Sequence, residues 1–139
     1  MLIRSPYVYA GDFLDRWYEE LPWRKRVPLG KRGEQIAGRY LRRSGYLIIA
    51  RNYRAAGAEV DLIAVEDQTL VFVEVKARTG TALGSPEEAV DERKQERIRR
   101  AAQVYAIRHR VLEAPMRFDV VAITGAGRNR RLELIRDAF

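Results

Sequence analysis

Two adjoining β-strand patterns, residues 59–66 and 69–77, constrain the fold of this chain more than any other segment. Aliphatic and aromatic residues dominate both, and Glu66, Asp67 and Gln68 between them predict a tight turn. The two strands are therefore expected to pair antiparallel. Charged residues interrupt both strands, and charges are seldom buried unless they are paired or bind a metal.

Further elements are predicted on both sides of this pair. In chain order, they are a helix over residues 31–44, a strand over 46–54, the strands 59–66 and 69–77, a helix capped by Ser85 that breaks near Asp91 and runs to about His109, a strand over 116–124 and an edge strand over 131–139. The order α-β-β-β-α-β-β predicts an α/β fold with a mixed β-sheet flanked by helices. Residues 1–29 are an aromatic and basic N-terminal extension, with a short amphipathic helix predicted over about 11–21.

The composition limits the kinds of chemistry available. The chain has 139 residues, 47% of them hydrophobic, which is typical of one domain with its own core. Cysteine is absent, so disulfides, thiolate metal sites and a cysteine nucleophile are excluded. No signal peptide opens the chain and no apolar run is long enough for a membrane span, so a soluble cytoplasmic protein with no membrane partner is expected.

Positive charge is concentrated between Arg24 and Arg54, where Glu34 is the only acid. With a net charge of +7, this block favours a polyanionic partner, nucleic acid before an anionic membrane surface, and a merely solvated basic surface is the equally weighted alternative. The candidate phosphate contacts are Arg39, Arg42 and Arg43 on the first helix, Arg51, Tyr53 and Arg54 at the end of the next strand, Arg78, and Lys94 and Arg97 on the second long helix.

Four charged side chains, Glu59, Asp61, Glu74 and Lys76, lie inside the two central strands, away from the turn. Because strand side chains alternate, Glu74 and Lys76 share one face, as do Glu59 and Asp61, and antiparallel pairing can bring Asp61 close to Glu74. Two adjacent carboxylates repel unless a cation lies between them, and Mg²⁺ or Mn²⁺ would serve. Lys76 could neutralise charge on a phosphate. The alternative is an exposed polar hairpin face with Glu–Lys pairs across the strands.

Six motifs occur in an order that resembles the YraN-like family of bacterial proteins: "GKRGEQIAGRYLRRSGY", "ARNYR", "EVDLIA", "VFVEVKART", "EEAVDERKQERI" and "RFDVVAI". The resemblance covers about residues 30–139, which it identifies as an endonuclease-like domain. It implies the restriction-endonuclease-like core of the PD-(D/E)xK superfamily, similar to archaeal Holliday-junction resolvases. Residues 1–29 lie outside it.

The resemblance also implies site residues. The positions that correspond to superfamily catalytic residues are Asp61, Glu74, Lys76, the helix glutamate Glu34 and, in "GAEVD", Glu59. The implied metal ligands are Asp61, Glu74 and the main-chain carbonyl of Val75. Val60 stands where the superfamily motif has proline, which removes no chemical group.

These observations lead us to expect a Mg²⁺- or Mn²⁺-dependent endonuclease that acts on DNA, with branched or processed forms as candidate substrates. DNA is favoured over RNA, and the resolvase analogy allows a homodimer. Two alternatives stay open: a non-catalytic nucleic-acid-binding module with the same fold, and a protein-interaction adaptor that uses residues 1–29.

Overall fold

The computed structural model describes residues 29–78, 90–125 and 127–139. Its elements are helix α1 (Leu29–Arg43), strands β1 (Leu47–Ala55), β2 (Ala58–Glu66) and β3 (Thr69–Arg78), helix α2 (Glu92–Arg108), strand β4 (Met116–Thr124), a 3₁₀ turn (Gly127–Asn129) and strand β5 (Arg131–Ile135). The predicted order of helices and strands is confirmed. The helix predicted over residues 11–21 lies outside the described residues, as does all but the last residue of the 1–29 extension.

The five strands form one mixed sheet in the order β1-β2-β3-β4-β5. The first three pair antiparallel as a meander, β3 and β4 pair parallel, and β5 closes the edge antiparallel to β4. A parallel pair needs a crossover connection, and α2 lies within it. The result is the predicted α/β fold with a restriction-endonuclease-like core.

Each face of the sheet is covered by a helix. Ala37 and Leu41 of α1 pack on one face with Leu62 and Val73, in a cluster that also contains Tyr46, Ile48, Ala64, Val71, Val121 and Ile123. Ile98, Ala102 and Tyr105 of α2 pack on the other with Val60, Ile63, Val65, Leu70, Phe72 and Val120. The paired part of the central hairpin is therefore covered on both faces, and Glu74, only 5% exposed, does not belong to an exposed polar surface.

The end of α1 and the start of α2 have identifiable causes. Gly45 adopts a left-handed conformation (φ 92°), and the Tyr46 amide returns a hydrogen bond of 2.9 Å to the Leu41 carbonyl, which ends α1 as predicted. The Asp91 carboxylate accepts a 2.8 Å hydrogen bond from the Lys94 amide and begins α2. Helix α2 thus begins at the position where a break was predicted; the Ser85 cap and the helical segment predicted before Asp91 lie outside the described residues.

The last strand is shorter than predicted. It ends at Ile135, because Asp137 takes a positive φ of 53° and turns the chain back over the sheet. The Ala138 amide then donates to the Phe118 carbonyl at 2.7 Å, and the Phe139 ring stacks on Phe118 at 5.3 Å.

A partly buried ionic network joins these C-terminal residues to the sheet near the β2–β3 turn. Asp119 is fully buried and accepts hydrogen bonds from the Tyr46 hydroxyl (2.9 Å), the Arg117 guanidinium (2.8 Å) and the Asp137 amide (2.9 Å). Arg117 and Arg136 both pair with Glu66, and they hold the pKa of that carboxyl below its usual value despite the opposing effect of burial. Because every member has a partner, the network is structural.

Among the described helices, none combines the length and apolar character required to cross a membrane.

Candidate metal and phosphate site

The hairpin β2–β3 separates at the point where its acids begin. The described pairing of the two strands ends at Leu62–Val73, so Asp61 and Glu74 follow at the place where the strands diverge. The Asp61 carboxylate accepts a 2.7 Å hydrogen bond from the Val75 amide, across the gap. A backbone donor of β3 thus fixes the orientation of the acid on β2.

Three carboxylates converge beside this gap. Glu34 of α1 and Glu59 and Asp61 of β2 each offer an oxygen atom, and these atoms all lie within 4.8 Å of one another. Glu34 is the sixth residue of α1 and lies beyond its first turn, so stabilisation of the helix dipole does not account for it. An acid from a helix and two acids from a strand thus gather several potential oxygen ligands at one point of the fold.

Asn52 joins two of these carboxylates, and the sequence interpretation missed it. With the amide nitrogen facing the acids, it donates to Glu34 Oε2 at 3.0 Å and to Glu59 Oε1 at 3.1 Å. Asn52 has a φ of 50°, a left-handed conformation in the middle of β1 that asparagine tolerates better than most residues. An asparagine inside an otherwise strand-like run was the available signal, since strands are depleted in asparagine.

Glu74 lies on the α2 side of Asp61 and is only 5% exposed. Lys94 of α2 donates from Nζ to Glu74 Oε1, while Lys76 Nζ lies 3.6 Å from the same oxygen. The structure therefore brings Asp61, Glu74 and Lys76 together, as the spacing predicted, and it adds Lys94 to them. The catalytic and metal-binding roles assigned to these residues stay predictions.

The electrostatics of the group are set by its burial and by its own charges. Burial, followed by repulsion from Glu74, raises the pKa of Asp61 to about 7, although the Val75 amide acts in the opposite direction. Burial and the neighbouring Lys94 ammonium lower the pKa of Lys76. Lys94 is also partly buried, but the Glu74 carboxylate outweighs that effect and raises its pKa. Burial and the proximity of Glu74 thus disfavour the ionised form of Asp61.

A cleft of about 480 Å³ opens beside the acids. Glu59, Asp61 and Glu74 line one side and Lys94 and Arg97 of α2 the other, with Gly57, Ala58, Asp91 and Ile98 completing the wall. Acids and cations thus face a common space, as a site for a metal ion and an anionic group requires.

The remaining candidate phosphate contacts are spread over two elements. Arg42 and Arg43 lie in the last turn of α1, where cations suit the helix dipole, and Arg39 lies on the preceding turn. The Arg51 guanidinium lies against Gly38, one turn after Glu34. A Cβ atom at Gly38 would come within 2.8 Å of Arg51 Nη2. Arg51 is thus brought alongside α1.

Two other candidate phosphate contacts, Arg54 and Tyr53, contact residues within the domain. Arg54 is exposed and pairs with Glu59 at 2.9 Å, at the edge of the acidic group. Tyr53 packs edge-on against Tyr105 at 5.1 Å, within the hydrophobic cluster under α2, which is a core contact. The Arg78 side chain and the loop that follows it lie outside the described residues.

Fold and site together define a class: an α/β protein with a restriction-endonuclease-like core and a carboxylate-lined cleft at the divergence of its central hairpin. The model of the uncharacterised protein family UPF0102 matches residues 33–123, and the chain belongs to this family, the YraN-like family that its motifs resemble. A UPF0102 protein of Rhodococcus opacus is 49% identical over 114 residues, which cover 81% of this chain and 97% of the relative. Two further UPF0102 proteins are also similar. That of Symbiobacterium thermophilum is 47% identical over 112 residues, which cover 80% of this chain and 95% of the relative. That of Geobacter metallireducens is 44% identical over 111 residues, which cover 80% of this chain and 91% of the relative.

Proposed function

We propose that this protein is a metal-dependent endonuclease that hydrolyses DNA phosphodiester bonds, with branched or processed DNA as candidate substrates. The observation that carries the proposal is the convergence of Glu34, Glu59 and Asp61, with oxygens within 4.8 Å of one another, beside a cleft lined by cations. Convergent carboxylate oxygens at a cleft that also holds cations are the donor arrangement that a hard divalent ion and an anionic group require.

The donor set suits a hard divalent cation. Three carboxylates supply the oxygen ligands that Mg²⁺ and Mn²⁺ prefer, and thiolate or imidazole groups are absent from the set. Glu34, Glu59 and Asp61 would hold the ion, with Glu74 and the Val75 carbonyl on its other side. When bound, such an ion supplies Lewis acidity at a phosphate oxygen and lowers the pKa of a water molecule.

The chain's own residues would orient the carboxylate ligands and bind the phosphate groups of the DNA. The Val75 amide keeps the Asp61 carboxylate oriented toward the cleft, and the Asn52 amide holds Glu34 and Glu59 side by side. Lys76 would neutralise charge that develops on the phosphate, since it is partly buried and close to Glu74. The basic residues of α1 and Arg97 would bind neighbouring phosphates.

Cleavage of a labelled panel tests the proposal: four-way junction, flap, single strand, duplex and RNA, each with Mg²⁺, Mn²⁺ or EDTA. Wild type should cut DNA only with metal, and both Asp61→Asn and Lys76→Ala should abolish cutting. Asp67→Asn makes the same chemical change at an exposed residue of the β2–β3 turn and should leave cutting intact. Cutting by all variants alike would indicate a contaminating nuclease and reject the proposal.

One observation favours a non-catalytic nucleic-acid-binding module as the second candidate. Lys94 already neutralises Glu74, so part of the acidic group has a partner without any metal. That function predicts salt-sensitive binding to DNA that EDTA does not change, with no cutting of any substrate in the panel.

A further inference from the structure

The turn between β4 and β5 carries three arginines to which the sequence interpretation assigned no contact with nucleic acid. Arg128, Arg130 and Arg131 lie in this turn and at the first position of β5, and all three are exposed. None of them forms an ion pair with a described residue, and neither does Glu133, the one acid of β5. The excess positive charge of this surface is therefore available to a polyanion.

The turn itself has a compact and defined shape. Gly125 has a φ of 80°, and a Cβ atom there would come within 2.8 Å of the Asn129 carbonyl oxygen, so the two ends of the turn pack directly against each other. Residues Gly127–Asn129 form the 3₁₀ turn between them. The backbone that presents Arg128 is thus already ordered, which reduces the entropy lost when a ligand binds.

The alternation of side chains in β5 places Arg131 on the same face of the sheet as the cleft. Leu132 packs on the α1 side, so its neighbour Arg131 points to the opposite face. Lys76 lies on that opposite face too, because its neighbour Val75 packs on the α1 side. An anionic ligand that contacts Lys76 can therefore continue across the sheet toward Arg131.

The register of the sheet gives the distance between the two residues. Arg131 pairs with Thr124 of β4, and Thr124 pairs with Arg78 of β3, which follows two residues after Lys76. Arg131 is therefore two strands across the sheet and two residues along it from Lys76, roughly 12 Å between Cα atoms. One strand of DNA advances about 3.4 Å per nucleotide, so about three or four nucleotides span this distance.

We propose that Arg128, Arg130 and Arg131 form a second phosphate-binding surface, which holds the DNA backbone about three or four nucleotides from the scissile phosphate. The inference rests on the proposed function, because it extends the DNA contacts of that site to the β5 edge of the sheet. Arg97 lines the cleft beside the β1–β2 turn, toward the other edge. The backbone is thus held on both sides of the scissile phosphate.

Fluorescence anisotropy of labelled duplex DNA, in EDTA and over a series of salt concentrations, tests this surface. Arg130→Gln/Arg131→Gln should reduce the slope of log K against log salt by about 1.8, since each lost phosphate contact removes about 0.9. Arg108→Gln/Arg110→Gln is the matched control. It removes the same charge from exposed residues after which the chain enters β4 at the opposite end of the sheet, and it should leave the slope unchanged.

DNA with single uncharged linkages supplies the second readout, which locates the contact. A methylphosphonate is placed at one position at a time on both sides of the cleavage site. About three or four nucleotides away on one side, it should lower kcat/KM of wild type roughly fivefold, as the loss of one exposed ion pair does. Arg130→Gln/Arg131→Gln should lose this sensitivity on that side only, because the arginines that bind the phosphate are gone.

Binding and cutting separate this surface from the nuclease activity. An equal fall in slope for both double variants, an unchanged slope for folded Arg130→Gln/Arg131→Gln, or the same methylphosphonate pattern in variant and wild type overturns the inference, as does a wild type that binds no DNA. If wild type cuts nothing and the slopes differ as expected, the nuclease proposal fails and the phosphate-binding surface stands. Circular dichroism checks folding, and Arg128→Gln, with a slope lower by about 0.9, replaces a double variant that does not fold.

Discussion

Replacing Asp61 by asparagine isolates the loss of folding free energy caused by burying the ionised Asp61 carboxylate beside Glu74. The substitution is nearly isosteric, and an amide oxygen can still accept the hydrogen bond from the Val75 amide. What is lost is a buried charge that Glu74 repels. Without metal, we therefore expect Asp61→Asn to be the more stable protein at neutral and alkaline pH.

The sign and size of this difference in stability follow from the linkage between proton binding and folding. Between the ordinary pKa of 3.8 and the folded value of about 7, the folded protein holds the Asp61 proton and the unfolded chain does not, so stability falls as pH rises. At about 1.36 kcal/mol per pKa unit, wild type should lose roughly 2.5–3 kcal/mol relative to Asp61→Asn between pH 5 and pH 8.

Urea denaturation in EDTA at the two pH values measures this difference, with Asp67→Asn as the control for a surface acid. Adding Mg²⁺ at pH 8 should restore stability to wild type only, because an ion bound by the folded state alone stabilises it. A difference between wild type and Asp61→Asn that is the same at pH 5 and pH 8 would refute the reasoning, since Asp61 would then titrate as in the unfolded chain.

Three further predictions concern other parts of the molecule. Arg117→Met leaves Asp119 buried without its cationic partner and should lower the free energy of unfolding by roughly 3–5 kcal/mol in urea denaturation; a loss under about 1 kcal/mol contradicts this. Asn52→Gly keeps the left-handed backbone but removes the amide, and should weaken Mn²⁺ binding roughly tenfold by calorimetry, with unchanged affinity the contrary result. Arg43→Gln should reduce the slope of log K against log salt for DNA binding, by fluorescence anisotropy, by about 0.9; an unchanged slope places Arg43 outside the interface.

Local patterns were enough to predict the order of elements. The apolar spacing of α1, the turn at Asp67 and Gln68 and the alternation in β3 depend on neighbours within a few residues, which the sequence displays directly. The proximity of Asp61 and Glu74 also followed, because antiparallel pairing about a tight turn determines which residues face each other.

Contacts between distant elements could not be predicted in the same way. The Lys94–Glu74 pair depends on where the crossover helix lands on the sheet, and no periodicity encodes that position. Asn52 was overlooked for a different reason: its role comes from a left-handed backbone that points the amide at acids on α1 and β2. The inward-facing Asp119 likewise reads in sequence as an ordinary polar residue in a strand.

The crossover that carries α2 has a consequence for the order in which the site forms. Asn52, Glu59, Asp61 and Glu74 belong to the β1–β2–β3 meander, whose strands pair through short connections and can associate as soon as that stretch of chain is available. Lys94 arrives only when α2 docks, which the parallel β3–β4 pairing requires. During folding the acids are therefore expected to gather before their lysine, and the docking of α2 should be the step that neutralises Glu74 and completes the site.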